Sequence, residues 1–342
     1  MIQKIKKIIN HELNQFTYNL QRVDSIGGPV VYQIELTNLC PMTCEMCPRT
    51  HSMTRKLGYM DELFFKRIIH EASDFSSRIF LHHFGESLLH PKFSEFIRYA
   101  YNHNIKTFLS VNPVLLTQKH SSELVNSGLY ELVLSLDGLT KETNKAIRGK
   151  CAENVELAER NILNFLKYRK NVGSRTPITI IQIVRQEQNI HEIESWVKKW
   201  NSVDGIDRVK VKSYITWDGR DDQINSLKPD GFSPRQSNII CDKPWASMTI
   251  LWDGRVVPCC FDYDGIYVLG DLHQHSLREI WRGERIRYLR QCHRDRNRQK
   301  IRLCEKCTDM EGYPVKKWYY PLNRLFGVRN RLGDEWSITE YG

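Results

Sequence analysis

Residues 31–47 read VYQIELTNLCPMTCEMC: a short run rich in β-branched and apolar residues, a polar turn, then Cys40, Cys44 and Cys47 at the spacing C-x3-C-x2-C. The run has the character of a buried strand, and the cysteines fall in the loop directly after it. Three thiolates in one tight loop can hold three irons of a 4Fe-4S cluster, leaving the fourth iron open to a ligand from outside the protein. A structural zinc site is normally closed by four ligands, and His51 stands near enough in sequence to be the fourth. Five further strands after this loop weigh toward the cluster.

Those strands are expected at 79–83, 105–111, 131–136, 178–184 and 209–214, with 31–36 as the first. Helical patterns lie between them, at 61–72, 92–102, 121–127, 153–168 and 190–200. Alternation of this kind makes a parallel α/β sheet, and six strands suit a partial (β/α)6 barrel whose chemistry sits at the C-terminal strand ends. Ahead of it, Ile2, Ile5, Ile8, Ile9 and Leu13 interleave with Lys4, Lys6 and Lys7, so residues 1–25 carry an amphipathic helix. The barrel is assigned to 26–215. Residues 216–240 are rich in Asp, Gly, Pro, Ser and Asn without an apolar period and read as a linker. A small C-terminal domain follows at 241–315, with a hairpin turning at Asp253-Gly254 and a helix over 277–289; the resemblance given below implies that it is an iron-sulfur domain. Residues 316–342 form an aromatic and basic tail.

Composition bounds the rest. The 342 residues are 41% hydrophobic and 26% charged, with mean hydropathy −0.49, as in a soluble chain of one large and one small domain. No run reaches the roughly 20 apolar residues of a membrane span, and the N-terminus is too charged for a signal peptide, so a cytoplasmic location is expected. The net charge of +10 favours an anionic partner or substrate. Nine arginines between Arg278 and Arg302 against three acids concentrate that charge, a density that suits an anionic small molecule or a solvated helix face. Nucleic acid is disfavoured because no recognised binding module accompanies the charge.

Of ten cysteines, four form a second set. Cys241, Cys259 and the pair Cys304-x2-Cys307 supply enough thiolates to close a site, and by ligand count zinc and an iron-sulfur cluster remain open alternatives. Cys260 adjoins Cys259 and competes with it as ligand. Cys151, Cys260 and Cys292 are the spare thiols, each a candidate hydrogen-atom donor or an ordinary buried cysteine.

The C-x3-C-x2-C loop after a first strand resembles the signature of the radical S-adenosylmethionine superfamily. The resemblance implies that the open iron chelates S-adenosylmethionine, that one electron cleaves it to methionine and a 5′-deoxyadenosyl radical, and that this radical removes a substrate hydrogen atom. It also implies an external one-electron donor such as flavodoxin or ferredoxin. Phe84-Gly85-Glu86-Ser87 resembles the family's GGEP motif, with Phe and Ser as departures, so Gly85 and Glu86 are expected at the methionine amino group. Asn112 and Ser135 resemble contacts to the ribose and Arg148 one to the carboxylate. Met46 holds the position where the family places an aromatic against adenine. Behind such a barrel, C-x12-G-x4-C followed by C-x2-C is similar to SPASM and twitch extensions, which implies an auxiliary 4Fe-4S cluster on Cys241, Cys259, Cys304 and Cys307. No cysteine follows Cys307, so one auxiliary cluster is expected. The function implied is oxidation of a small polar substrate, a carbohydrate or cyclitol alcohol. Epimerisation of a carbohydrate and peptide maturation are the enzymatic alternatives, and a cluster or zinc protein binding nucleic acid is the non-enzymatic one.

Anaerobic reconstitution is therefore expected to load about eight irons and about eight sulfides per chain. Replacing Cys40, Cys44 and Cys47 together by Ala should halve the iron and abolish S-adenosylmethionine cleavage. Stoichiometric zinc in place of the second half would defeat the auxiliary-cluster reading.

Overall fold

In the computed structural model, which describes residues 2–232 and 240–307, the apolar runs become six parallel strands. They are β1 (Val31–Ile34), β2 (Arg78–Phe80), β3 (Lys106–Val111), β4 (Glu131–Ser135), β5 (Ile178–Val184) and β6 (Arg208–Lys212). Each pairs in parallel with its sequence neighbour. Because side chains alternate along a strand, Leu109, Val111, Leu132, Leu134, Ile181 and Ile183 share one face and pack with Phe65, Phe96, Phe165 and Trp196 of the covering helices. Ser110, Ser135, Gln182 and Lys212 take the other face, which is the inside of the partial barrel.

The helices start where short polar side chains can receive orphan backbone donors. Asp61, Thr117 and Asn154 accept from the first turns of Glu62–Ala72, Gln118–Asn126 and Val155–Asn171. One helix, Lys141–Arg148, falls where no helical pattern stood out; Thr140 caps it and Gly149, at φ 82°, ends it. The N-terminal helix runs Ile2–Asn19 and is fastened by Tyr18, whose hydroxyl donates to the Ile240 carbonyl at 2.6 Å. Its ring packs edge-on against Trp245.

The C-terminal hairpin does not stand apart from the barrel. Its strand β7 (Met248–Ile250) lies parallel to β1, and β8 (Arg255–Val257) and β9 (Gly270–Asp271) continue antiparallel, giving one nine-stranded sheet in the order β6-β5-β4-β3-β2-β1-β7-β8-β9. The expected turn forms at Gly254, φ 90°. The expected helix over 277–289 is instead two, Leu277–Arg282 and Glu284–Arg294, separated by Gly283. Residues 216–232, read as linker, hold a short helix, Asp222–Ser226. Ile224 is buried there with Tyr214 and Val184. The remaining linker residues 233–239 and the tail 316–342 lie outside the described residues. Among the described residues no helix is long and apolar enough to cross a membrane.

A buried ion cluster ties the hairpin to the barrel. The Glu35 carboxylate, just past β1, accepts from Arg55 Nη1 and Nη2 at 2.8 and 2.7 Å, and from the Trp252 amide at 3.2 Å. His83 Nδ1 stands 3.3 Å away. Arg55 Nε donates to the Tyr263 carbonyl at 2.6 Å. Burial alone would raise the Glu35 carboxyl, and the bonds from His83 and Arg55 outweigh it, holding it at about 2. A depressed acid contributes stability that is present above its unfolded value, about 4.3, and lost as pH falls toward its folded one. Glu35→Ala leaves Arg55 buried without its partner and should cost about 3–5 kcal/mol. Anaerobic guanidinium unfolding should show the loss, and an unchanged midpoint would remove Glu35 from its role as a brace.

Candidate cluster and cofactor sites

The cysteine loop leaves β1 and hangs on the end of the helix Lys141–Arg148. The Thr43 amide donates to the Arg148 carbonyl at 3.2 Å and the Glu45 amide to the Ile147 carbonyl at 3.0 Å. Gly149 makes this approach possible: a Cβ there would overlap the Thr43 hydroxyl, and φ is 82°, a region that L side chains rarely adopt. Burial pushes the Cys40 thiol up to about 11 and Cys47 up to about 12, and raises Cys44. Arg148 and Arg49 oppose the rise at Cys44. Among the described residues no three His, Cys, Asp or Glu side chains converge as one metal ion would need. A cubane cluster gives each thiolate its own iron, so three buried thiols on one loop beside two arginines suit it by their chemistry.

The strand-end loops are wired to this loop. Glu86 donates its amide to the Leu39 carbonyl at 2.7 Å, and its carboxylate accepts from the Asn112 amide at 2.9 Å and the Leu88 amide at 3.1 Å. Burial pushes that carboxyl up to about 7, against those two bonds. Gly85 was expected to admit a ligand; the structure gives it a nearer reason, since a Cβ would overlap the Thr37 carbonyl oxygen. Asn112 Oδ1 accepts from the Val114 amide at 3.0 Å, while its Nδ2 is buried with no hydrogen-bond partner. An orphan donor of this kind at the end of β3 suits a polar cofactor atom. Ser135 Oγ lies 3.1 Å from Ser110 Oγ, and the Ser110 amide donates to His82 Nδ1 at 3.0 Å. Arg148 is ion-paired with Asp137 at 2.6 Å, and Asp137 also accepts from the Val184 amide at 2.7 Å.

The second set of cysteines surrounds one cavity. Cys241, Cys259, Cys304 and Cys307 line it together with Pro258, Phe261, Leu289 and Leu303, a mostly apolar shell around four thiols. Four donors in such a pocket fit a cluster closed by protein ligands. Cys260 is absent from that lining; its carbonyl meets His83 Nε2 at 2.8 Å, and of the two adjacent cysteines Cys259 is the one on the cavity wall. Arg298 Nη1 clamps the pair loop, donating to the Cys304 carbonyl at 3.0 Å and the Cys307 carbonyl at 2.8 Å. Of the other spare thiols, Cys292 is buried beside Leu289, Ile301 and Leu303, and Cys151 is exposed on the turn Lys150–Ala152.

Several arginines of the basic stretch have structural contacts. Arg290 is buried, with Nε donating to the Pro244 carbonyl at 2.9 Å and its guanidinium 4.4 Å from the Trp281 ring centre. Arg278 covers Phe75 and Arg285 covers Tyr267. Arg287 pairs with Asp24 at 2.9 Å.

Trp217 is the residue that the sequence did not single out. Its indole Nε1 donates to the Met46 carbonyl at 2.8 Å, and its ring meets Phe84 at 4.9 Å and Phe261 at 5.9 Å between centres. The Cys307 thiol donates to its carbonyl at 3.8 Å. One indole thus touches both cysteine neighbourhoods. Gly219 lets the same turn press on Lys306, whose carbonyl oxygen a Cβ would overlap. The only signal was a Trp-Asp-Gly, which recurs at 252–254, in a stretch without apolar period, and linker composition masked it.

Residues 34–199 match the model of the radical SAM superfamily, and residues 241–308 match the SPASM iron-sulfur cluster-binding domain. The chain belongs to the radical SAM superfamily. It binds S-adenosylmethionine and a 4Fe-4S cluster in its barrel, and carries a SPASM domain for further iron-sulfur ligation. A tungsten-containing aldehyde ferredoxin oxidoreductase cofactor-modifying protein of Pyrococcus furiosus is 25% identical over 75% of this chain and 82% of its own length. An S-adenosyl-L-methionine-dependent 2-deoxy-scyllo-inosamine dehydrogenase of Niallia circulans is 21% identical over 85% of this chain and 97% of its own. Among solved structures, BtrN in complex with AdoMet and 2-DOIA shares the fold at TM-score 0.55 and 17% identity, over 85% of this chain and 97% of that one. Streptococcus suis SuiB bound to its precursor peptide SuiA does so at TM-score 0.61 and 16% identity, over 86% and 74%.

Gly149→Ala tests the loop's support. The added methyl group meets Thr43 and the backbone must leave positive φ, so the cysteine loop should shift. Iron per chain should fall by about half, with the SPASM share retained. Full loading together with unchanged S-adenosylmethionine affinity would show that the loop does not depend on this contact.

Proposed function

We propose that this radical SAM enzyme oxidises a carbinol of a small, hydroxyl-rich substrate such as a carbohydrate or cyclitol. The observation that carries the reading is the four-cysteine cavity, joined to the cofactor loop through Phe261 and Trp217. With its clusters and S-adenosylmethionine bound, the site supplies hydrogen-atom removal by the 5′-deoxyadenosyl radical and an acceptor for the electron then left on the substrate carbon. The balance is one hydrogen atom to deoxyadenosine, one proton to solvent and one electron to that acceptor, which turns the alcohol into a ketone. An external one-electron carrier of the flavodoxin or ferredoxin class reduces the first cluster for each S-adenosylmethionine cleavage and takes the electron off the acceptor, so that each turnover balances.

In this reading Cys40, Cys44 and Cys47 hold the cluster that opens to S-adenosylmethionine, and Cys241, Cys259, Cys304 and Cys307 hold the auxiliary one. Asn112 and Ser135 take the ribose, the backbone at Gly85 and Glu86 the amino group, and Arg148 the carboxylate. Met46, packed against the cluster of Val184, Tyr214 and Ile224, offers the adenine an apolar surface. A hydroxyl-rich substrate suits the inner wall. Gln33 Oε1 is buried there without a partner, and Ser110 and Ser135 stand together. Burial, with Lys212 nearby, brings His82 down to about 3, so its imidazole is neutral. The cyclitol-type substrate in the name of the Niallia circulans relative, which this chain matches over nearly that protein's whole length, supports the same class.

Anaerobic incubation with cyclitols, sugars and peptides, scored by deoxyadenosine formation, tests the substrate class. A ketone lighter than its substrate by two hydrogens is expected. A mass-neutral product carrying one solvent deuterium in heavy water, lost when Cys151, Cys260 or Cys292 becomes Ala, would replace oxidation by epimerisation. Stimulation by peptides alone would replace the substrate class.

A further inference from the structure

His293 belongs to the auxiliary cavity without being needed to close it. It sits on the helix Glu284–Arg294, is 4% exposed, and lines the cavity with the four cysteines. Its Nε2 lies 3.4 Å from Cys304 Sγ, within range of a hydrogen bond to sulfur. The turns of the helix that lead up to it are fixed by Ile286 and Leu289, both buried, and by the buried Arg290. On the other partner, Arg298 holds the Cys304 and Cys307 carbonyls. Ring and sulfur are therefore each held in place independently.

We propose that His293 is a positioning residue that donates an N–H···S hydrogen bond to Cys304 and so raises the reduction potential of the auxiliary cluster. The inference rests on the reading above, that the four cysteines hold a cluster which accepts an electron. Iron-bound thiolate carries no proton, so the proton shared by this pair sits on the imidazole nitrogen. Donation draws electron density from the sulfur and favours the more negative, reduced cluster. A second donor points the same way: the Phe261 amide approaches Cys259 Sγ at 3.4 Å. That bond is backbone and follows the chain, whereas the His293 bond can be removed by substitution. Lys243 also lines the cavity and, with Arg298, adds positive charge around the sulfurs. In the apolar shell of Pro258, Phe261, Leu289 and Leu303 such directed donors act with little screening by water.

The test is an anaerobic potentiometric titration followed by electron paramagnetic resonance. It uses the full chain with Cys40, Cys44 and Cys47 replaced by Ala, so that only the auxiliary signal remains. In that background His293→Leu and His293→Phe fill the space without a donor, and His293→Gln keeps an amide N–H. The donor-free variants should titrate at a more negative midpoint than His293, and His293→Gln should recover part of the shift. An unchanged midpoint in a fully loaded donor-free variant overturns the proposal. So does loss of iron from both, since His293 would then hold the site together rather than set its potential. If the chain with His293 intact takes up no iron in this background, the failure belongs to the cluster reading instead.

Discussion

The Glu35 carboxylate is the constraint on which the rest of this structure depends. It is fully buried, and its charge is met by Arg55, His83 and the Trp252 amide, which converge on it. Each partner comes from a different part of the chain: the segment after the cysteine loop, the end of β2, and the turn of the SPASM hairpin. A buried ion network contributes less to net stability than to uniqueness of arrangement, because a wrong arrangement strands a charge. Here the unique arrangement ties the segment after the first cysteine loop, through Arg55, and the hairpin, through Trp252 and Tyr263, to the end of β1.

Sheet pairing reinforces that tie. Parallel addition of β7 to β1 leaves β1 without an open edge and makes barrel and hairpin one sheet. Phe84, Trp217 and Phe261 pack in series, from the turn that bonds the Met46 carbonyl to the cavity that Phe261 lines with the second group of cysteines. Aromatic side chains pack in this way with few rotatable bonds, and the indole N–H fixes the Trp217 ring to the Met46 carbonyl. A two-electron oxidation that begins at one cofactor and ends at another needs this kind of fixed spacing between them. The segment that looked like a linker supplies it.

The basic stretch shows how one composition serves different ends. Arginine has a planar cation and a long apolar stem, so it can cover an aromatic ring, clamp carbonyls or pair with an acid. Arg278, Arg285, Arg290 and Arg298 do the first two and Arg287 the third. At these five of the nine arginines, the charge density along the chain is a supply of such contacts.

By itself the sequence determined the barrel and the first cysteine group. Strand and helix periods are local, and a C-x3-C-x2-C loop must lie close in space because its residues lie close in the chain. The same locality explains why β1 to β6 were found within a few residues of their ends. Only the tertiary structure decided matters that depend on residues far apart in sequence. Cys259 rather than Cys260 lines the cavity because its neighbours there come from 241, 304 and 307. Gly85 and Gly149 are glycines because other loops press on them, and Arg148 is an ion-paired residue because Asp137 lies at the end of the adjoining strand. Glu35 and His293 carried no local signal, and that of Trp217 was masked by the composition around it. Their roles follow from what the fold brings to them, and burial turns each contact into a fixed one.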